Sequence, residues 1–280
     1  MYSRFTCKLP SNLMVHFCCL LLCITCFSIK VQCQAPEILW EHGYGGAEDD
    51  RAMHILKTFD LNYLIVGYGN SVDGDFTGNH GSLDINIVKT NTYGEVIWTR
   101  SYGGSNIEYA YSACQAIDSG YIIAGKSYSF DGDLTGINGN SDMWIFKIND
   151  SGDIIWQFNY GGLHNETPGS IIQTGDGGYM ITGSSQSNDG DVIGHHGASG
   201  VRDIWLLKLD QSGNLVWNKC LGSTGTDDSE QIISTLDGNF ILIGDTNGSD
   251  GDINFTYGGY DILILKISPD GELIWSKNFG

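Results

Sequence analysis

Apolar and polar positions along this chain form short runs of about seven residues, and four kinds of run recur in a fixed order. The first kind contains a tryptophan, the second is half apolar, and the third and fourth are apolar at almost every position. The runs are rich in Ile, Tyr, Trp and Val and are bounded by Gly, Asp and Asn, as strands and turns are. No stretch after residue 33 keeps a 3.6-residue period, so the pattern predicts an all-β protein.

The four runs together make a repeat of about 58 residues that is marked by its tryptophan. Trp40, Trp98, Trp156, Trp217 and Trp275 open successive copies, at spacings of 58, 58, 61 and 58 residues. The third and fourth runs are apolar on both faces and need a sheet on each side, which the blades of a β-propeller supply. We therefore predict a β-propeller of four four-stranded blades. The predicted repeats span residues 40–97, 98–155, 156–216 and 217–274, with a stub at 275–280.

The order of the runs also predicts how the propeller closes. If a blade consists of the third, fourth, first and second runs in that order, the last blade lacks its final strand. The N-terminal second run, Arg51–Phe59, would complete it, so the two termini would close the last blade. Ile38–Gly43 and Leu273–Asn278 then compete for one strand position. This surplus leaves open that the chain is a fragment of a longer propeller.

Residues 1–33 have the pattern of a secretory signal peptide. Arg4 and Lys8 precede the apolar run Phe17–Ile29, which is too short to span a membrane. We therefore predict a repeat domain over residues 34–280 that is secreted or displayed at the cell surface, with no membrane span after signal removal. Six of the eight cysteines lie in the signal, and the remaining Cys114 and Cys220 are predicted to be unpaired thiols.

The charge of the chain limits the class of partner. The formal net charge is -19, and no acidic residue lies in the first 33 positions. Such an acidic protein repels phosphate backbones, which argues against a nucleic-acid partner. It is compatible with divalent cations or basic partners.

Three motifs of the repeat resemble a known family. Asp176–Gly183, Ser127–Asp133 and Asp142–Lys147 match the patterns D-G-G-Y-x-I-x-G, S-x-S-x-D-G-D and D-x-W-x-x-K. With the Trp and Gly-Gly positions, they resemble tandem propeller-like repeats of secreted Bacteroidota-type proteins, over about residues 37–280. This resemblance implies an exported β-propeller without a defined activity, and it carries over no catalytic residue.

The strongest candidate chemistry is an acid set in the loop between the third and fourth runs. Each loop contains Asp-Gly-Asp, and a third Asp opens the fourth run. The candidate metal ligands are Asp73, Asp75, Asp84, Asp131, Asp133, Asp142, Asp189, Asp191, Asp203, Asp250, Asp252 and Asp261. Ca²⁺ prefers several hard oxygens on a flexible loop, so calcium is the predicted ion. Asp-Gly is also an ordinary turn former, so a purely structural role remains open.

A second acid recurs ten residues after the first four tryptophans, as Asp50, Glu108, Glu166 and Asp227. These acids either cap loop amides or offer carboxylates for chemistry, and Glu108 with Glu166 is the candidate glycosidase pair. The recurring tryptophans are expected to pack between blades rather than to stack on sugars. The recurring lysines of the fourth run, of which Lys208 is one, are expected to meet a neighbouring carboxylate.

The sequence thus favours a non-enzymatic binding or scaffold module that engages an extracellular glycan or protein, with calcium as its predicted ion. The alternatives are a carbohydrate-active enzyme of the glycoside hydrolase type that uses carboxylates near the axis, or a fragment of a longer propeller.

Overall fold

The computed structural model describes residues 37–280, and the predicted signal peptide lies outside this range. Trp40–Gly280 forms one compact unit, and residues 37–39 lack regular secondary structure. Residues 37–280 contain sixteen strands and no helix of the length and apolarity needed to cross a membrane. The strands are β1 (Asp50–Lys57), β2 (Tyr63–Gly69), β3 (Asp84–Thr90), β4 (Val96–Tyr102), β5 (Glu108–Gln115), β6 (Tyr121–Ser127), β7 (Asp142–Ile148), β8 (Ile154–Tyr160), β9 (Glu166–Gln173), β10 (Tyr179–Ser185), β11 (Asp203–Leu209), β12 (Leu215–Leu221), β13 (Asp227–Ser234), β14 (Phe240–Thr246), β15 (Asp261–Ile267) and β16 (Leu273–Phe279).

The strands form four antiparallel sheets of four strands each, and each sheet keeps the order of the chain. Sheet 1 contains β1–β4, sheet 2 contains β5–β8, sheet 3 contains β9–β12 and sheet 4 contains β13–β16. Tight turns join the strands. In the turn after β7, Asn149 N–H donates to the carbonyl of Asp153 (2.9 Å), and Gly152 has a φ of 86°, which favours glycine. The prediction of an all-β fold with four four-stranded units, consistent with a four-bladed β-propeller, is confirmed.

Successive sheets pack face to face. We call the face of a sheet that packs on the next sheet its forward face, and the opposite one its rear face. The forward face of sheet 2 carries Ile122, Ala124, Met143 and Ile145, all fully buried. Its rear face carries Tyr121, Ile123, Trp144 and Phe146, also fully buried. Three cores result, between sheets 1 and 2, 2 and 3, and 3 and 4. Each Val, Leu, Ile, Phe or Met side chain that is fully buried in them contributes roughly 1.5–3 kcal/mol.

The tryptophans of the outer strands connect each sheet to the next. Trp98 in β4 donates its Nε1–H to the carbonyl of Asp150 in sheet 2 (2.9 Å), and the Tyr102 hydroxyl donates to the carbonyl of Gly152 (2.5 Å). Trp156 and Trp217 pack against the next two cores. The prediction that the recurring tryptophans pack between blades is confirmed for Trp98, Trp156 and Trp217, whereas Trp40 and Trp275 belong to none of the three cores. Cys114 and Cys220 are free thiols, as predicted.

The predicted grouping of strands is wrong. Each second run begins its own sheet instead of ending the preceding one: β1 pairs with β2, and β13 with β14. Arg51–Phe59 therefore does not complete the last sheet. The reason is local, because a short turn lets the second run form a hairpin with the third at little entropic cost. In sheet 3 this turn closes with Thr174 N–H donating to the carbonyl of Gly178 (2.9 Å).

Of the two segments that were predicted to compete for one strand position, only the C-terminal one forms a strand. Leu273–Phe279 forms β16 of sheet 4, whereas residues 40–46 form no strand and lie on sheet 1. Among residues 37–280, no apolar core joins sheet 4 to sheet 1. The four sheets therefore form a series with an open side at sheet 4.

Candidate functional site

The Asp-Gly-Asp loops hold the connection between sheets. Asp131 Oδ1 accepts the backbone N–H of Ser105 (2.8 Å), and Asp133 Oδ2 accepts that of Gly103 (3.1 Å). The connection that these carboxylates bind runs from sheet 1 to sheet 2. The same bonds recur in the other three loops, at Asp73, Asp75, Asp189, Asp191, Asp250 and Asp252. Each loop thus fastens its own sheet to the incoming chain, as turn-forming aspartates do.

The third aspartate of each predicted set lies at the head of a strand, almost without exposure: Asp84, Asp142, Asp203 and Asp261. Asp142 Oδ2 accepts the backbone N–H of Asn138 (2.8 Å). Its other oxygen, Oδ1, is buried without a hydrogen-bond partner, and the same holds for Asp84 and Asp203. Such an atom is costly to bury when the group is charged.

Each of these three aspartates lies beside the acid that begins the next sheet. A methyl group on Gly161 would lie 2.5 Å from both Asp142 Oδ1 and Glu166 Oε2, so the two oxygens are at most about 5 Å apart. Glu166 is fully buried and accepts the backbone N–H of Gly162 (3.0 Å) and the hydroxyl of Ser185 (2.7 Å). Each sheet junction therefore contains a buried pair of carboxyl groups.

Burial changes the acidity of these pairs. It raises the pKa of Asp142 to about 7, with further contributions from the charges of Glu166 and Asp191. Burial also raises the pKa of Asp84 and of Glu108, which form the first pair. A group with this pKa carries its proton for part of the time near neutral pH.

The three predicted calcium ligands of one loop do not converge on a common point. Asp131 and Asp133 bind the incoming connection, whereas Asp142 faces Glu166 of the next sheet. Within residues 37–280, no group of three or more His, Cys, Asp or Glu is arranged to hold a metal ion. Calcium remains a prediction of the sequence.

The two carboxylates of the candidate glycosidase pair belong to separate junctions. Glu108 lies with Asp84 between sheets 1 and 2, and Glu166 lies with Asp142 between sheets 2 and 3. Both glutamates are fully buried. A glycosidase needs two carboxylates on either side of one open cleft, and this arrangement does not supply them.

The recurring lysines meet carboxylates, as predicted. Lys208 Nζ lies 2.9 Å from Asp176 Oδ2. Burial raises the pKa of Asp176, but hydrogen bonds from Lys208 and Thr174 outweigh it and hold the value at about 2. The other three recurring lysines, Lys89, Lys147 and Lys266, form ion pairs with turn aspartates in the same way.

Residues 37–280 contain an open groove of about 640 Å³ between the first strands of the four sheets. Each first strand has a bulge, one residue that the neighbouring strand does not pair: Met53, Tyr111, Gly169 and Glu230. Tyr111, Gly169 and Glu230 line the groove. A bulge redirects a side chain and is frequent beside binding sites. The four sheets thus present four different residues at one equivalent position.

The groove combines apolar surface with neutral hydrogen-bonding groups, one lysine (Lys57) and one carboxylate. Burial raises the pKa of Tyr111 to about 12, so its hydroxyl keeps its proton. His54 also lines the groove, and burial lowers its pKa, so the ring accepts the backbone N–H of Ala113 at Nδ1 (3.0 Å). Ser112, Ser170 and Gln231 add hydroxyl and amide groups, and Glu230 is the one carboxylate among the groove residues.

Sequence reasoning missed this groove because the second run has an ordinary half-apolar pattern. The sequence signal that could have revealed the groove is a position at which the four repeats carry different residues. The fourth residue of β1, β5, β9 and β13 is Met, Tyr, Gly and Glu in turn, whereas the first residue of each of these strands is Asp or Glu.

Comparison with known proteins supports the fold alone. No protein-family model matches the sequence, and no curated protein matches it significantly. A protein of unknown function from Dyadobacter fermentans has a similar structure, with a TM-score of 0.50 and 14% identity over 84% of this chain and 71% of its own. A protein of unknown function from Bacteroides caccae (TM-score 0.35, 11% identity, 86% of each chain) is more distant. So is a mannose phosphorylase from Leishmania mexicana (TM-score 0.47, 12% identity, 85% of this chain and 70% of that one). The resemblance to a Bacteroidota-type repeat family stays a prediction.

Proposed function

We propose that this protein is a non-enzymatic, extracellular binding module that takes its ligand in the groove between the first strands. The observation that carries this proposal is the set of bulges, which place different residues at equivalent positions of a rigid scaffold. Recognition needs such an asymmetric set, whereas the residues that hold the sheets together repeat from copy to copy.

A glycan is the ligand class that fits the groove residues. Sugars offer many hydroxyl groups to neutral donors and acceptors, and an apolar face to an aromatic ring. Tyr111 supplies a ring and a hydroxyl, Ser112 and Gln231 supply neutral polar groups, and Glu230 supplies a strong acceptor. A single carboxylate in the groove favours binding over glycoside hydrolysis, which needs two.

The experiment is a screen of the secreted protein against a glycan array, followed by titration calorimetry with the best ligand. Tyr111→Ala and Glu230→Ala should each weaken binding about tenfold or more, as central contact residues do. Met53→Ala is the matched control, since Met53 occupies the equivalent bulge but does not line the groove. Unchanged affinity in the Tyr111 and Glu230 variants, or an equal loss in the Met53 variant, would contradict the proposal.

Export is the second part of the proposal, and residues 1–33 support it. Expression of the full chain in a bacterial host with fractionation is the test. Protein that begins near Gln34 and is recovered outside the cytoplasm supports export. Full-length protein that stays in the cytoplasm contradicts it.

A further inference from the structure

The forward face of sheet 4 is the exception among four equivalent faces. Ile243 is 40% exposed and Ile262 is 59% exposed. The equivalent side chains of the other sheets are fully buried: Val66 and Ile85 in sheet 1, Ala124 and Met143 in sheet 2, and Thr182 and Ile204 in sheet 3. Ile233 and Phe279 extend the exposed apolar surface of sheet 4 at 52% each. An apolar surface of this kind on a soluble protein marks an interaction site.

The three junctions within the chain show which kind of surface packs on a forward face. In each of them, a forward face of the same apolar pattern packs on the rear face of another sheet. The matching rear face of sheet 1 carries Tyr63, Ile65 and Val88. Tyr63 and Ile65 are half-buried, whereas the equivalent Tyr121 and Ile123 of sheet 2 are fully buried. Sheet 4 and sheet 1 thus carry the two unpaired halves of a fourth junction.

Charge complementarity supports the same pairing. At the junction of sheets 3 and 4, Lys219 Nζ lies 3.1 Å from Glu272. Lys277 has the position of Lys219 in the next copy of the repeat, two residues after its tryptophan. Glu95 has the position of Glu272, directly after the turn glycine of sheet 1. A contact of sheet 4 with sheet 1 would therefore bring Lys277 to Glu95.

In the single chain, residues 40–46 already cover the surface of sheet 1 that this contact would use. Trp40 donates its Nε1–H to the carbonyl of Thr92 (3.2 Å), and the Tyr44 hydroxyl donates to the carbonyl of Gly94 (2.6 Å). These bonds copy those of the outer strand of sheet 1 with sheet 2. The segment has no strand structure, so it is the replaceable part of the contact.

We propose that the forward face of sheet 4 docks on sheet 1 of a second copy of this chain. Trp275 and Phe279 of one copy take the place that Trp40 and Tyr44 hold in the free chain, and Lys277 meets Glu95. Two such contacts join two chains into a closed ring of eight sheets, a number of blades that propellers adopt.

The first test is the solution mass of the secreted protein, by light scattering across a concentration series. We expect the mass of two chains, and Ile262→Arg should reduce it to one, because the charge would be buried in the contact. Leu236→Arg is the control, since Leu236 is fully exposed on a turn outside the face. A monomer at every concentration, or equal masses for the two arginine variants, would overturn the proposal.

The second test is a charge exchange, which does not depend on the folding of the Ile262 variant. Lys277→Glu and Glu95→Lys should each weaken association several-fold, as expected for an exposed ion pair turned into a like-charge contact. A mixture of the two variants should regain association, because each exchanged residue then meets its opposite charge on the other chain. If mixing restores nothing, the pairing of sheet 4 with sheet 1 is wrong.

Discussion

Replacement of Asp142 by asparagine should make the protein more stable at alkaline pH. Asp142 is fully buried, and its folded-state pKa is about 7 against an ordinary value of 3.8. A raised pKa means that the fold favours the protonated form. The stabilisation is fully present below pH 3.8 and is lost as the pH rises through 7. A rise from 3.8 to about 7, at 1.36 kcal/mol per pKa unit, is about 4 kcal/mol of unfolding free energy.

The asparagine variant should avoid this loss. Its side-chain oxygen accepts the N–H of Asn138, and its amide group donates toward Glu166 in place of the unpaired Oδ1. Asp142→Asn should therefore match the parent protein within about 1 kcal/mol at pH 4 and exceed it by up to about 4 kcal/mol at pH 8.

Urea unfolding at pH 4 and pH 8, followed by tryptophan fluorescence, measures this difference. Asp210→Asn is the matched control, because Asp210 lies in an exposed turn and its pKa is lowered by hydrogen bonds from Asn214. That control should show no gain at pH 8. A gain for Asp142→Asn that is no larger at pH 8 than at pH 4 would refute the buried-acid argument.

Two further predictions concern the contacts between sheets. Tyr102→Phe leaves the buried carbonyl of Gly152 without its donor and should cost about 1–2 kcal/mol in a urea or thermal melt, whereas Tyr93→Phe, on a side chain 70% exposed, should cost nothing measurable. The double variant Asp131→Ala, Asp133→Ala removes two bonds to loop amides and should cost about 1 kcal/mol per bond in chelator. If these aspartates serve only as turn formers, the loss in calcium is the same. A larger loss in calcium than in chelator would instead show that these carboxylates bind the ion.

The strands could be predicted because apolar runs form them and turn-forming residues separate the runs. The run YIIAGKS, which follows Gly120, is β6 without change, and the run DMWIFKI, which begins with Asp142, is β7. The grouping of strands into sheets was not predictable from the same pattern. The half-apolar pattern of a second run such as β5 fits either the first or the last strand of a sheet. The short turn that joins this run to the next one decides which strand it pairs with.

The candidate site was predictable only in part. The recurrence of Asp142 and Glu166 marked them as important, but their pairing spans two sheets and depends on the close approach of Gly161. The bulge at Glu230 has no hydrophobic signature, since it is a residue that the neighbouring strand does not pair. Contacts between residues of different sheets could therefore be identified only from the structure.

The open side of sheet 4 has a consequence for the order in which the molecule loosens. Sheets 2 and 3 are each clamped between two neighbours, whereas sheet 4 has a neighbour on one face only. In a linear series of units, local stability depends on the number of neighbours, so fraying starts at the end that has fewer. In the single chain, before sheet 4 docks on a second copy, β14 and β15 should thus exchange their amide protons earlier than β6 and β7. Despite its near-identical repeats, the single chain is therefore less stable at sheet 4 than at its centre.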